Sequence, residues 1–148
     1  MLEQNLKLSF KNYSMYIKLM VAIIDDDTIF QFIGKRFIES LESVNKTLIF
    51  SDGKDAIDYL YLNVSDTDKL PDIIFLDINM PVMNGWQFLN RYIQFKSEIE
   101  KKILIYIVSS SNNPDDFIQA KSIFEVTDYL VKPVNRDKYA SILHSFHK

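Results

Sequence analysis

The hydrophobic positions fall into short uninterrupted runs, each broken off by a polar group. Leu19–Ile24 is apolar throughout and stops at Asp25-Asp26-Asp27. Thr47–Phe50 is β-branched and aromatic and stops at Ser51-Asp52-Gly53. Ile73–Leu76 stops at Asp77, Ile103–Val108 at Ser109-Ser110-Ser111, and Tyr129–Val131 at Lys132-Pro133. A continuous apolar run without alternation is what a strand covered on both faces shows. The pattern therefore predicts five buried strands.

Between the runs the apolar period lengthens to that of a helix. Ile29, Ile33, Phe37 and Leu41 recur every four residues and predict one apolar stripe. Asp52 or Gly53 opens a second helix with Ala56, Ile57 and Leu60 on a face, and Phe88, Leu89, Tyr92 and Ile93 mark a third. The start of the fourth, Asn113-Pro114-Asp115-Asp116, has three physical reasons behind it. Asn caps, Pro is pre-set for the first helical position, and the acids favour the positive end of the helix dipole. Phe117, Ala120, Ile123 and Phe124 supply its stripe. Asn135 opens a fifth helix through Tyr139, Ile142, Leu143 and Phe146.

Strand and helix alternating five times imply a parallel sheet with helices on both faces. Right-handed crossovers favour a flavodoxin-like, doubly wound α/β fold of five strands in the order 2-1-3-4-5, with five helices. Residues 19–148 form this predicted domain. Residues 1–18 fall outside the alternation and read as a poorly packed extension or a start-site artefact, since Met15 or Met20 could equally have opened a minimal domain.

Composition narrows the function. The 148 residues suit one domain. Seventeen basic against twenty acidic side chains give a net charge of −3, without the clustered positive excess that nucleic-acid binding requires. With no Cys there is no disulfide framework, no Cys-ligated zinc site and no thiol nucleophile. The two longest apolar runs fall far below the roughly 20 residues that span a bilayer. Charges at Glu3, Lys7, Lys11 and Lys18 leave no signal-peptide core. The expectation is a cytoplasmic domain that engages neither nucleic acid nor membrane.

The reactive groups gather at the strand ends. In an open parallel sheet the carboxyl ends of the strands share one edge, and ligands bind where the strand order reverses. Here that point lies between the first and third strands, which places Asp25, Asp26 and Asp77 around one crevice with Ser109 and Lys132 on its far wall. Three converging carboxylates repel one another unless a cation joins them. An all-oxygen cluster suits a hard ion, Mg²⁺ or Mn²⁺, rather than zinc. A carboxylate facing such an ion, with a hydroxyl and an ammonium nearby, is a nucleophile for phosphoryl transfer, giving an acyl phosphate on an aspartate. Each group alone is unremarkable: an acidic run starts many helices, a Ser-rich loop is ordinary, and Lys-Pro carries almost no information. The combination at one sheet edge is what carries the reading.

Four segments, taken in order, resemble a known family, the receiver domains of two-component response regulators. They are Val21-Ala22-Ile23-Ile24-Asp25-Asp26-Asp27, Ile73 through Gly85 with its Asp77-Ile78-Asn79-Met80-Pro81 centre, Ile105-Tyr106-Ile107-Val108-Ser109-Ser110, and Asp128-Tyr129-Leu130-Val131-Lys132-Pro133. The resemblance runs from about Leu19 to the C-terminus. It implies that Asp77 is phosphorylated, that Asp26 and Asp77 give carboxylate oxygens to Mg²⁺ and Asn79 its backbone carbonyl, and that Asp25 acts through a metal-bound water. It implies that Ser109 contacts the phosphoryl group and moves with it, that Lys132 pairs with it, and that the Tyr129 rotamer reports the movement. The implied phosphoryl donor is a histidine kinase or histidine phosphotransfer protein, and the target is an unknown protein. No enzyme turnover is implied beyond gain and loss of the aspartyl phosphate.

Two departures stand out. Ser109 replaces the commoner Thr, and Glu125-Val126-Thr127 lacks the Gly that usually precedes the lysine strand, so that turn is expected to form without positive φ. Asn79 and Ser111 flank the expected attack path of water, and neither is an obvious base. After Lys132 there is room for one helix, so the expectation is a stand-alone receiver, with Trp86 as its optical reporter. Two alternatives stay open. A haloacid-dehalogenase-type phosphohydrolase also forms an aspartyl phosphate, but Thr28 falls one place too early for its motif and only Asp137 remains as a late acid. A receiver-fold binding module that is never phosphorylated would not need the full set of polar groups.

Overall fold

The computed structural model describes residues 18–146, and all but the last residue of the expected extension over residues 1–18 lies outside them. The strands are β1 (Leu19–Ile24), β2 (Val44–Phe50), β3 (Ile73–Leu76), β4 (Leu104–Ser109) and β5 (Val126–Val131). The helices are α1 (Thr28–Glu39), α2 (Gly53–Leu62), α3 (Gly85–Phe95), α4 (Pro114–Ser122) and α5 (Arg136–Phe146). All strand pairs are parallel, and the order is β2-β1-β3-β4-β5, as the alternation predicts. The inner strands β1, β3 and β4 are buried almost end to end. The edge strands are longer than their apolar runs. Their first residues put polar side chains at exposed positions, Asn45 and Lys46 in β2 and Thr127 and Asp128 in β5, which is why only Thr47–Phe50 and Tyr129–Val131 carry the apolar signal. β2, expected to be buried, is at most half-buried along its length because it is an edge strand.

Two apolar layers sandwich the sheet. On one face Ala22, Ile24, Ile74, Leu76 and Ile107 meet α2 (Ala56, Ile57, Leu60), α3 (Phe88, Leu89, Tyr92) and Ala120 of α4. On the other Val21, Ile23, Phe75 and Val108 meet Ile38 of α1 and Tyr139, Ile142 and Leu143 of α5. Tyr139 is fully buried, and its ring stands edge-on to Phe75 at 5.1 Å between centroids. Among the described residues no helix is long and apolar enough to cross a membrane.

The helix starts follow local chemistry. Asn113 Oδ1 accepts the Asp115 N–H at 3.0 Å, and Asn135 Oδ1 accepts that of Lys138 at 2.8 Å. Asn84 and Gln87 form a reciprocal capping box at α3. Asp27 caps α1 through the N–H groups of Ile29 and Phe30. The acidic triplet is thus divided: Asp27 starts a helix, while Asp25 and Asp26 are left for the sheet edge.

Three apolar assignments are corrected. The first half of the predicted α1 stripe faces outward, Ile29 being 70% and Ile33 44% exposed. Phe37 and Leu41 of that stripe do pack on the core, and Phe30, Gly34 and Ile38 complete the inward face in place of Ile29 and Ile33. Gly34 hides this face from an apolar count, and it is small because a Cβ there would lie 3.1 Å from Tyr139 Oη and 3.2 Å from Ile23 Cδ1. Phe124 lies beyond the end of α4, 90% exposed, with the Lys96 ammonium 4.9 Å from its ring centroid. Ile93, assigned to the α3 stripe, is 43% exposed.

Candidate functional site

Strand register assembles the site. Ile24 stands opposite Leu76, so the next residues, Asp25 and Asp77, emerge side by side. Leu76 also stands opposite Ile107, and Ser109 opposite Val131, which brings Ser109 and Lys132 to the same edge. Backbone hydrogen bonds extend the ladders through these residues. Asp25 N–H donates to Phe50 O at 3.0 Å, Asp77 N–H to Ile24 O at 2.9 Å, and Lys132 N–H to Ser109 O at 2.8 Å. The groups are therefore fixed by main chain as firmly as the sheet itself.

Asp25 and Asp77 are buried, at 1% and 6% exposure, and Asp26 is exposed. One oxygen from each of the three lies within 4.8 Å of the others. Lys132 Nζ is 2.7 Å from Asp25 Oδ2 and 3.9 Å from Asp77 Oδ1. The closer contact is a short ion pair to a buried carboxylate oxygen. Burial, and then the charge of Asp25, push the Asp77 carboxyl up to about 6, with Lys132 and the N–H groups of Ile78 and Asn79 opposing. Three carboxylates converging within 4.8 Å, with one lysine to offset their charge, are an oxygen set that fits a hard divalent cation. The site lacks His and Cys, so it does not suit zinc.

Ser109 is fully buried, and its Oγ accepts the Ser111 N–H at 3.1 Å. Ser111 is a junction that the sequence reading left without a structural role. Its Oγ donates to Asp116 in the first turn of α4 at 2.5 Å, and its carbonyl accepts the Tyr129 hydroxyl at 2.9 Å. Tyr129 is 8% exposed and stacks at 4.2 Å on Phe117 of α4. Phe30 was also missed, because a lone aromatic in an amphipathic helix reads as core; its ring lies under Lys132. Asn79 is exposed in the loop that follows Asp77.

That loop explains the glycine that ends the Ile73–Gly85 segment. Gly85 N–H donates to Ile78 O at 2.8 Å, and a Cβ on Gly85 would come 2.5 Å from the Asp77 carbonyl oxygen. The close approach packs the start of α3 against the backbone of Asp77. Val82, 79% exposed, holds φ at 67°, the one non-glycine positive φ among the described residues. The turn before β5 is built without positive φ, as its missing glycine requires.

The response regulator receiver domain model matches residues 21–144. This chain is a response regulator receiver domain. It is 28% identical over 131 residues to two-component response regulator 24 of Arabidopsis thaliana, covering 88% of this chain and 85% of that protein. The crystal structure of a two-component response regulator from Cytophaga hutchinsonii superposes with a TM-score of 0.77 at 28% identity, covering 87% of this chain and 97% of that one. The Mn²⁺-bound form of response regulator Rcp1 shares the fold, with a TM-score of 0.67 at 22% identity over 85% of this chain and 90% of its own. As a receiver domain the chain is a signalling module of two-component systems, and it carries the acidic pocket at the sheet edge.

Proposed function

We propose that this receiver, residues 19–148, accepts a phosphoryl group on Asp77 from a phosphohistidine of a histidine kinase or histidine phosphotransfer protein. The observation that carries the reading is the buried Asp77 carboxylate at the end of β3, beside Asp25 and facing the Lys132 ammonium that the two share. An Asp77 carboxylate oxygen attacks phosphorus, the P–N bond to the donor imidazole breaks with its electron pair, and an acyl phosphate forms. Asp25, Asp26, Asp77 and the Asn79 backbone carbonyl would hold Mg²⁺, with Mn²⁺ as a substitute. Bound there, the ion neutralises charge on the phosphoryl oxygens. Lys132 leaves Asp25 for a phosphoryl oxygen, and the Ser109 hydroxyl donates to another. As its Oγ turns toward the phosphoryl group Ser109 draws away from the Ser111 N–H that it accepts, and the loop carrying the Tyr129 hydrogen bond moves with it, so Ser109 and Tyr129 form the switch that a partner protein reads.

The donor reading has support on the surface. Ile29, Phe32 and Ile33 of α1 are exposed, and a recess of about 340 Å³ runs between α1 and the Lys132–Val134 segment beside the site. An apolar surface rimming a phosphoacceptor suits a protein donor better than a small phosphate ester. The phosphohydrolase alternative is disfavoured by Asp27, whose Oδ1 is engaged as the α1 cap.

Incubation with phosphoramidate and Mg²⁺ followed by intact mass tests the assignment. The expected product is heavier by about 80 Da, one added HPO₃, and Asp77→Asn abolishes it. An adduct that persists in this variant, or no adduct on the native chain, refutes the proposal.

A further inference from the structure

Phe30 stands in the first turns of α1, half-buried, and the Lys132 ammonium lies 4.4 Å from its ring centroid. The ammonium thus has three neighbours: Asp25 Oδ2 at 2.7 Å, Asp77 Oδ1 at 3.9 Å and the ring face. The Lys132 side chain is 17% exposed, so the ring replaces part of its hydration. The face of an aromatic ring is the negative pole of its quadrupole, and partial desolvation strengthens its attraction for a cation.

The two carboxylates and the ring differ in one respect. Asp25 and Asp77 belong to the acidic cluster, and any cation entering it shares their charge and repels the ammonium. Phe30 is neutral, and its attraction for Lys132 is unchanged when the cluster is engaged. A lysine stem is flexible and its ammonium strongly hydrated, so a lysine released by Asp25 turns to solvent unless something else retains it.

We infer that Phe30 is a positioning residue for Lys132: its ring holds the ammonium at the rim of the acidic cluster when the carboxylates are engaged by a cation, within reach of a phosphoryl group arriving on Asp77. This rests on the phosphoacceptor reading above. The role differs from plain packing, for which leucine or methionine would serve as well as an aromatic ring.

The test uses the full chain with Phe30→Leu, Phe30→Met and Phe30→Trp. In ¹H–¹³C spectra the Lys132 ε-methylene protons, assigned with Lys132→Met, are shifted upfield by the ring in the native chain and in Phe30→Trp. They return toward free-lysine values in the leucine and methionine variants. With phosphoramidate and saturating Mg²⁺, the leucine and methionine variants acquire the phosphoryl group roughly 3- to 10-fold more slowly, and Phe30→Trp restores the rate to within about twofold. A rate unchanged in Phe30→Leu, or a tryptophan variant as slow as leucine, overturns the inference while leaving the phosphoacceptor intact. Should leucine unfold the chain, methionine, which fills irregular apolar gaps, decides by the same comparison. A native chain that takes up no phosphoryl group refutes both readings together.

Discussion

The hydroxyl of Tyr129 donates a hydrogen bond to the backbone carbonyl of Ser111 at 2.9 Å. It ties the middle of β5 to the loop that leaves β4, directly beyond the buried Ser109. Tyr129→Phe keeps the ring on Phe117 and deletes only this bond. A net loss of about 1 kcal/mol is expected in urea denaturation, with faster amide exchange over residues 111–116. Ser111→Ala leaves the carbonyl bond in place and removes instead the Oγ links to Asp116 and to the Asn113 N–H. If Tyr129→Phe is as stable and as protected as the native chain, the hydroxyl does not hold the loop.

Gly85 touches the carbonyl of Asp77 so closely that any side chain must displace one of them. Gly85→Ala is expected to cost about 2–3 kcal/mol, in the range of overpacking against backbone that cannot yield. The displaced group is the candidate phosphoacceptor, so Mg²⁺ titration followed by Trp86 fluorescence should also weaken. A variant with native stability and native Mg²⁺ affinity would show that the contact is relieved elsewhere at no cost.

The inner strands, their order and the polar group at each strand end were legible in the sequence, because all three are consequences of alternation and chain direction. What was not legible depends on packing between elements. Ile29 and Ile33 were misplaced on α1 because the true inward face contains Gly34, whose reason lies in Tyr139, far along the chain. The role of Ser111 is invisible in a polar loop until Tyr129 and Asp116 are brought to it. Phe30 reads as one more core aromatic until Lys132 arrives from the opposite end of the sequence. The start of β5 escaped because an edge strand with one open side lacks a continuous apolar run.

Asp77 sets a pH dependence whose sign is fixed by its environment. Its carboxyl titrates near 3.8 when unfolded and at about 6 in the fold, raised first by burial and then by Asp25. Between these values the folded chain keeps a proton that the unfolded chain has lost. The stability associated with this proton is complete below about 4 and gone above about 6. Asp77→Asn carries no such charge, so it should be more stable than the native chain at pH 7–8, by about 1–3 kcal/mol. The advantage should shrink as the pH falls from 6 to 4. Thermal melts of both chains in metal-free buffer across this range decide it; a difference that does not vary with pH would assign the strain to something other than ionisation.

Lys132 opposes the repulsion between Asp25 and Asp77, and it competes with any cation for Asp25 Oδ2, which it approaches to 2.7 Å. Removing one partner of a buried pair leaves the other charge uncompensated. Lys132→Met should therefore destabilise the metal-free chain, by about 1–3 kcal/mol, since Asp25 is deeply buried while the ammonium stays partly open to solvent. The same substitution removes a positive charge beside the acidic cluster, so Mg²⁺ should bind more tightly, roughly 3- to 10-fold by calorimetry at low ionic strength. Addition of Mg²⁺ should then recover much of the lost stability. Uptake of a phosphoryl group from phosphoramidate should nevertheless fall, because the ammonium that meets the phosphoryl oxygens is gone. Tighter metal with slower phosphorylation is a combination that general loosening of the fold cannot produce. Weaker Mg²⁺ binding in this variant would mean that Lys132 organises the carboxylates for the cation and does not compete with it.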